Sequence, residues 1–250
     1  MLKAITFDLW DTVIHDDSDE PKRAAQGLHT KSRTRRDVLW QALDHQAPLD
    51  RERLDLAYAV QEAAFRHVWH DQHVTWTVSE RLDVVLAGLD RKLPAADYQS
   101  VQTALEEMEI QVRPDPVAGM PEAIKALAAH YPLAVVSDAI YTPGRCLRQW
   151  LEAEGLLQYF SAFAFSDEIG HSKPHPSMFA HVAEALGIEI PEMVHIGDRD
   201  HNDIKGPQAL GMRAVLFAVT RDQDRDMTSA DAICADPSAL FATIQSLAKG

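Results

Sequence analysis

From about residue 115 onward, short apolar runs alternate with stretches of helical period, and this alternation restricts the chain more than any other feature. LAVVS (133–137), FAFS (163–166), MVHIG (193–197) and AVLFA (214–218) read as buried strands. Three apolar stripes accompany them at helical spacing: Met120, Ile124, Leu127 and Ala128, then Met178, Phe179, Val182 and Leu186, and finally Leu240, Phe241, Ile244 and Leu247. Gly187, just past the second stripe, is placed to end a helix, because glycine accepts the left-handed conformation common there. Strands and helices in regular alternation predict a parallel sheet covered by helices.

One more run of this kind, KAITF (3–7), stands apart, and residues 15–114 hold no comparable strand. Helix faces fill that interval instead. Val38, Leu39, Ala42 and Leu43 form one, and Leu54, Ala57, Tyr58, Phe65, Val68 and Trp69 a second. Leu82, Val85, Leu86 and Leu89 form a third, and Val101, Leu105 and Met108 a fourth, so a four-helix bundle is predicted. HDDSDE (15–20) and RPDPVAG (113–119) flank it as hinges, since Pro and Asp disfavour continued regular structure. The expected architecture is a doubly wound, Rossmann-like α/β core built from 1–14 and 115–250. An α-helical cap at 15–114 interrupts it after the first strand and lies over the strand ends.

Composition narrows the function. The chain has 24 Lys and Arg against 38 Asp and Glu, a net charge of −14, which argues against a basic grip on nucleic acid or on an anionic membrane. An anionic substrate must therefore be met by local positive charge. Cys146 and Cys234 are too few for a disulfide framework or a cysteine zinc site, and the N-terminal apolar run meets Asp8 at once, unlike a signal peptide. The expectation is a cytoplasmic protein, monomer or homodimer, with no nucleic-acid or membrane partner.

Four segments carry chemistry, each at a predicted strand end, where open α/β sheets place their ligand crevice. In ITFDLWDTV, Asp8 can attack an electrophile or hold a cation, and Thr12 follows it; in VVSDA, the Ser137 hydroxyl can donate to a phosphate or carboxylate oxygen, with Asp138 beside it. Lys173 of GHSKPHPSMF offers a fixed positive charge before a helix. HIGDRDHNDIKGPQALGM places Asp198 directly after a strand and Asp203 five residues later, oxygen ligands suited to magnesium. Singly, each has an ordinary alternative: a helix cap, a turn residue or a solvated lysine.

Jointly, in this order and with a helical insertion after the first, the four segments resemble the haloacid dehalogenase-like hydrolase superfamily over essentially the whole chain. The resemblance implies that Asp8 is a nucleophile forming a covalent aspartyl intermediate, that Ser137 binds the transferring group, and that Lys173 neutralises developing charge. It also implies a magnesium ion held by Asp8, the carbonyl of Trp10, Asp198 and Asp203, and a cap that selects a small phosphorylated substrate.

The sequence departs from the phosphatase pattern at Trp10, where relatives carry a second Asp that protonates the leaving group, help worth about 100- to 10,000-fold. Asp11 points to the other side of an extended segment, and Asp138 is a second candidate proton carrier. A large apolar residue at position 10 resembles the 2-haloacid dehalogenase branch, which uses the same Asp8 on carbon without metal, but the Asp198 and Asp203 pair argues for phosphate. Trp10, Thr12 and Asp138 are expected to touch the substrate. A binding or regulatory protein that has lost turnover is a third reading.

Weaker features have bland explanations. His67, His70, Asp71, Gln72 and His73 invite a zinc reading but lack a tight ligand spacing. Lys31, Arg33, Arg35 and Arg36 fit a solvated helix start better than an anion receptor. Trp69 and Trp76 could line a substrate pocket but better suit cap core; His171, His175 and His195 adjoin motif residues and could tune the site, although His195, inside a strand, better suits a packed neutral histidine.

Overall fold

The computed structural model describes residues 1–249. Its sheet has six strands, all parallel, in the order β3-β2-β1-β4-β5-β6: β1 is Ala4–Phe7, β2 Leu133–Ser137, β3 Phe160–Phe165, β4 Met193–Gly197, β5 Arg213–Phe217 and β6 Ala232–Cys234. From central β1 the chain winds outward through β2 and β3, then returns to β4 on the other side. The crevice beyond the C-terminal ends of β1 and β4 is thus the switch point at which such sheets bind ligands. The predicted strands are all present. β3 begins at Phe160, earlier than its apolar run, because Ser161 interrupts the run on the exposed face. The three-residue β6 at the sheet edge was too short to leave a pattern.

Both faces of the sheet are packed. One carries Ile5, Phe7, Val135, Ile196 and Val215 against α7 (Met120–Ala128), α8 (Gly144–Ala153) and α12 (Leu240–Lys249); the other carries Ala4, Ala134 and Val136 against α10 (Pro176–Leu186). Each large side chain so buried contributes about 1.5–3 kcal/mol. Gly187 ends α10 in the left-handed conformation, with φ 66°.

Between β1 and α7 lie six helices: α1 (Asp19–Ala25), α2 (Lys31–Gln46), α3 (Arg51–Gln72), α4 (Val78–Leu89), α5 (Ala95–Glu106) and α6 (Met108–Gln111). The four long ones match the predicted bundle; α1 and α6, at seven and four residues, are too short to display a period. They bury their own cluster, including Leu39, Leu54, Tyr58, Leu82, Val85 and Leu105, separate from the core beneath the sheet. A reciprocal capping box between Thr77 and Glu80 starts α4. The segment leaves and returns at one place: His15 N–H donates to the Asp115 carbonyl at 2.9 Å, and Val117 N–H to the Val13 carbonyl at 2.9 Å. The Trp150 indole N–H donates to the Pro114 carbonyl at 3.0 Å and ties α8 to this junction. Among the described residues no helix is long and apolar enough to cross a membrane.

Candidate active site

Asp8 follows β1 directly, and its backbone N–H donates to the Ile196 carbonyl of β4 at 2.9 Å, so the neighbouring strand fixes its position. Ser137, the last residue of β2, donates its hydroxyl to Asp8 Oδ1 at 3.1 Å. Lys173 Nζ lies 2.6 Å from Asp8 Oδ1 and 2.7 Å from Asp203 Oδ1. Asp198 follows β4, and Asp203 lies on a single π-helical turn, Asp200–Lys205, that folds back over the strand end. That close approach requires glycine at 197, where an added Cβ would stand 2.4 Å from Asp203 Cγ. The four strand-end segments therefore meet in one crevice, and Asp8, Asp198 and Asp203 each offer an oxygen within 4.8 Å of the others.

Three buried carboxylates gather around one buried ammonium, and the guanidinium groups of Arg199 and Arg221 stand 3.7 and 3.9 Å from Asp198 Oδ2, beyond hydrogen-bond reach. Burial pushes Asp198 up to about 8, helped by the charges of Asp203 and Asp8, and burial likewise raises Asp8. Burial alone would lower Lys173, but Asp203, Asp8 and Asp138 outweigh it and hold the lysine firmly charged. Asp203 is also opposed by burial, yet Lys173 and His195 keep its carboxyl below the usual range. Among the described residues Asp198 Oδ2 is buried and has no hydrogen-bond partner. A divalent cation fits this place: the donors are hard oxygens, they converge, and one lacks a hydrogen bond. Asp203 is the most committed of the three, since Oδ1 accepts from Lys173 and His195 and Oδ2 from the Arg199 N–H at 3.0 Å.

A cavity of about 240 Å³ opens over the site, walled on the sheet side by Asp8, Trp10, Asp138, Lys173 and Asp203. The Trp10 indole N–H donates to the Asp138 carbonyl at 3.0 Å. Asp138 itself accepts the Lys173 N–H at 2.9 Å, and burial pushes its carboxyl up to about 7. Thr12, expected near the substrate, is placed elsewhere. It is fully buried in the turn where the N–H groups of residues 12 to 14 all converge on the Leu9 carbonyl, and it is not part of the cavity wall.

Several contacts escaped the sequence. His195 is buried and, with burial lowering its basicity, neutral; its Nε2–H donates to Asp203 at 3.1 Å while the Thr6 hydroxyl lies 2.8 Å from Nδ1. It packs as expected, but it also orients a site carboxylate. Lys31 is not a solvated residue: it is buried among Asp17, Asp19 and Glu109. Arg35, Trp69 and Tyr141 join the cavity wall. Arg35 belongs to the basic run and Trp69 to the cap face for which the sequence offered a substrate-facing role but favoured a bland one; Tyr141 carries no one-dimensional signal. The histidine-rich end of α3 forms no three-ligand group among the described residues; exposed His67 instead pairs with Asp71.

Comparison with known proteins follows the same lines. A family model described as haloacid dehalogenase-like hydrolase matches residues 2–211. Glyceraldehyde 3-phosphate phosphatase of Methanopyrus kandleri is 35% identical over 92 residues, which is 36% of this chain and 40% of that enzyme. The enzyme of the same name from Methanothermobacter thermautotrophicus is 28% identical over 221 residues, covering 86% of this chain and 85% of that one. The chain thus spans well under half the length of the first curated relatives it matches. The solved structure of a 2-haloacid dehalogenase from Pseudomonas syringae pv. tomato DC3000 shares the fold, with a TM-score of 0.66 and 21% identity over 99% of this chain and 100% of that one. With the motif order, the shared crevice and a family match over most of its length, this chain belongs to the haloacid dehalogenase-like hydrolase family.

Proposed function

We infer that the protein is a magnesium-dependent phosphatase acting on a small phosphorylated metabolite through an aspartyl-phosphate at Asp8. The observation that carries this reading is the buried carboxylate trio, with an Asp198 oxygen that no hydrogen bond satisfies among the described residues, a convergence of hard oxygens that attack on a carbon-halogen bond does not need. Relatives named as phosphatases support it. Lys173 and Ser137 both donate to Oδ1 of Asp8, which leaves Oδ2 to attack phosphorus. The Oδ2–P bond forms as the ester P–O bond breaks, and water then releases phosphate from Asp8. Lys173 and the Ser137 hydroxyl steady the transferring oxygens, and the residues at 15–114 close over the cavity as a cap. Asp8, Asp198 and the Trp10 carbonyl would hold magnesium, with Asp203 contributing through what remains of its lone pairs. The ion would offset repulsion between the nucleophile and a phosphate dianion.

Trp10 cannot protonate the departing oxygen. Asp138, the cavity carboxyl with the most suitable proton affinity, is the remaining carrier, and it is held at one side of the site by Lys173 N–H. Substrates with good leaving groups are therefore favoured. The test is magnesium-dependent hydrolysis of a series of aryl phosphates, plotted against leaving-group pKa, with Asp8→Asn as control. A steep dependence and complete loss in Asp8→Asn are expected. The same Trp10 favours a second reading, carbon-halogen hydrolysis at Asp8; halide release from a 2-chloro acid in the presence of a chelator, with no phosphate release, would replace the first.

A further inference from the structure

Arg35, on α2, lies on the wall of the cavity that holds Asp8 and Lys173. Its guanidinium lies 3.6 Å from the centroid of the Tyr141 ring, in the loop after β2, and a second guanidinium, Arg81 of α4, lies 3.8 Å from that centroid. Arg81 also donates to the Tyr141 hydroxyl at 2.6 Å and to the Ile140 carbonyl at 3.3 Å, so the tyrosine is fixed from the helical side. Arg35 is thereby held in position, yet it lacks acceptors. Its side chain is only 13% exposed, its Nε is buried without a hydrogen-bond partner among the described residues, and its ion-pair partner, Glu109, stands at 3.9 Å. Glu109 is drawn instead to Lys31, 3.0 Å away, which also engages Asp17 and Asp19.

A largely desolvated guanidinium without a hydrogen-bonded carboxylate is unfavourable unless something else supplies one. Its planar fork matches a carboxylate in two-point geometry, and stacking on an aromatic ring leaves the edge of that fork free to do so. Trp69 Nε1, from the same wall, is a second buried donor with no hydrogen-bond partner among the described residues. The cavity, about 240 Å³, admits a molecule of a few carbons. We propose that Arg35 determines specificity by receiving a carboxylate on the end of the substrate remote from the phosphoryl group, with Tyr141 as its positioning residue. The substrate class is then a short phosphomonoester of a hydroxy acid. This inference rests on the phosphatase reading of the same cavity.

The test separates the two. In the Asp8→Asn protein, where no turnover intervenes, calorimetry measures binding of a three-carbon phosphomonoester ending in a carboxylate, its amide and its ammonium counterpart. The carboxylate is expected to bind about tenfold or more tighter than the amide, as loss of a charged hydrogen-bonded pair implies. Adding Arg35→Gln should bring the ratio near one; Arg35→Lys, which keeps charge but loses the fork, should give an intermediate ratio and keeps the test decisive if the glutamine variant does not fold. Equal binding of acid and amide, tighter binding of the ammonium compound through Asp16 on the same wall, or an unchanged ratio in both Arg35 variants would overturn the proposal. Aryl phosphate turnover by the unaltered enzyme reports on the phosphatase reading alone.

Discussion

Asp138 follows the last residue of β2 and accepts from the Lys173 N–H through Oδ1 and from the Asn202 amide, at 3.4 Å, through Oδ2. Burial holds its proton up to about 7, whereas an unfolded aspartate releases it near 3.8. Between those values the folded state binds more protons than the unfolded one, so this group's contribution to stability falls as pH rises through the window and stays low above it. Asp138→Asn, which keeps an acceptor for Lys173, should therefore raise the melting temperature at pH 8 by about 2–4 °C or more and have little effect near pH 4; scanning calorimetry at the two pH values checks this. Trp10→Asp should raise turnover of alkyl phosphates by about 100-fold or more, by restoring an acid beside the leaving oxygen; steady-state phosphate release measures it. At this scale Asp8, Ser137 and Asp198 were legible because strand ends announce themselves in the apolar pattern; Lys173 lies beyond β3 and a short helix at Ser166–Ile169, and only its place among the other segments marked it. The pairing of Arg35 with Tyr141 was not, since the two lie 106 residues apart, the difference of their numbers, and meet only through packing of α2 against the loop after β2.

The turn at Asp200–Lys205 brings Asp203 over the end of β4, and its place depends on the missing side chain of Gly197. Gly197→Ala would drive a methyl group into the Asp203 carboxylate, and the expected cost is about 1–3 kcal/mol with loss of most activity. Urea denaturation and aryl phosphate assays would show it; wild-type values for both would mean that the turn shifts freely. Neither this turn nor α1, α6 and β6 was readable in advance, because a single turn or a three-residue strand is shorter than any hydrophobic period. The long helices and central strands were readable for the opposite reason: Leu82, Val85, Leu86 and Leu89 of α4 all face one buried cluster, and every residue of β1, β2 and β4 is buried.

Across the whole molecule, Tyr141 is one fastening of the helical layer to the sheet, meeting Arg35, Arg81 and, at 3.5 Å, Glu62 from three different helices, beside the backbone bonds of His73 and Thr75 to the Gly170–Ser172 loop and the ion pairs of Arg145 with Glu106 and Glu107. Tyr141→Ala removes all three contacts and trims the edge of the helical cluster, while leaving the core beneath the sheet whole. Cleavage by an aspartate-directed endoproteinase before Asp17, an exposed residue of the hinge, should then accelerate about tenfold, as loss of two cation–π contacts implies, with the unfolding midpoint of the sheet little changed; an unaltered digestion rate would place the fastening elsewhere. The six helices also depart from and rejoin the sheet within one short bridge, Ile14 against Pro116. Whatever lies between those two residues is, topologically, a side loop. It can lengthen, shrink or be exchanged for unrelated sequence without any strand changing its neighbour, so the choice of what enters the crevice and the machinery beneath it are free to evolve at different rates.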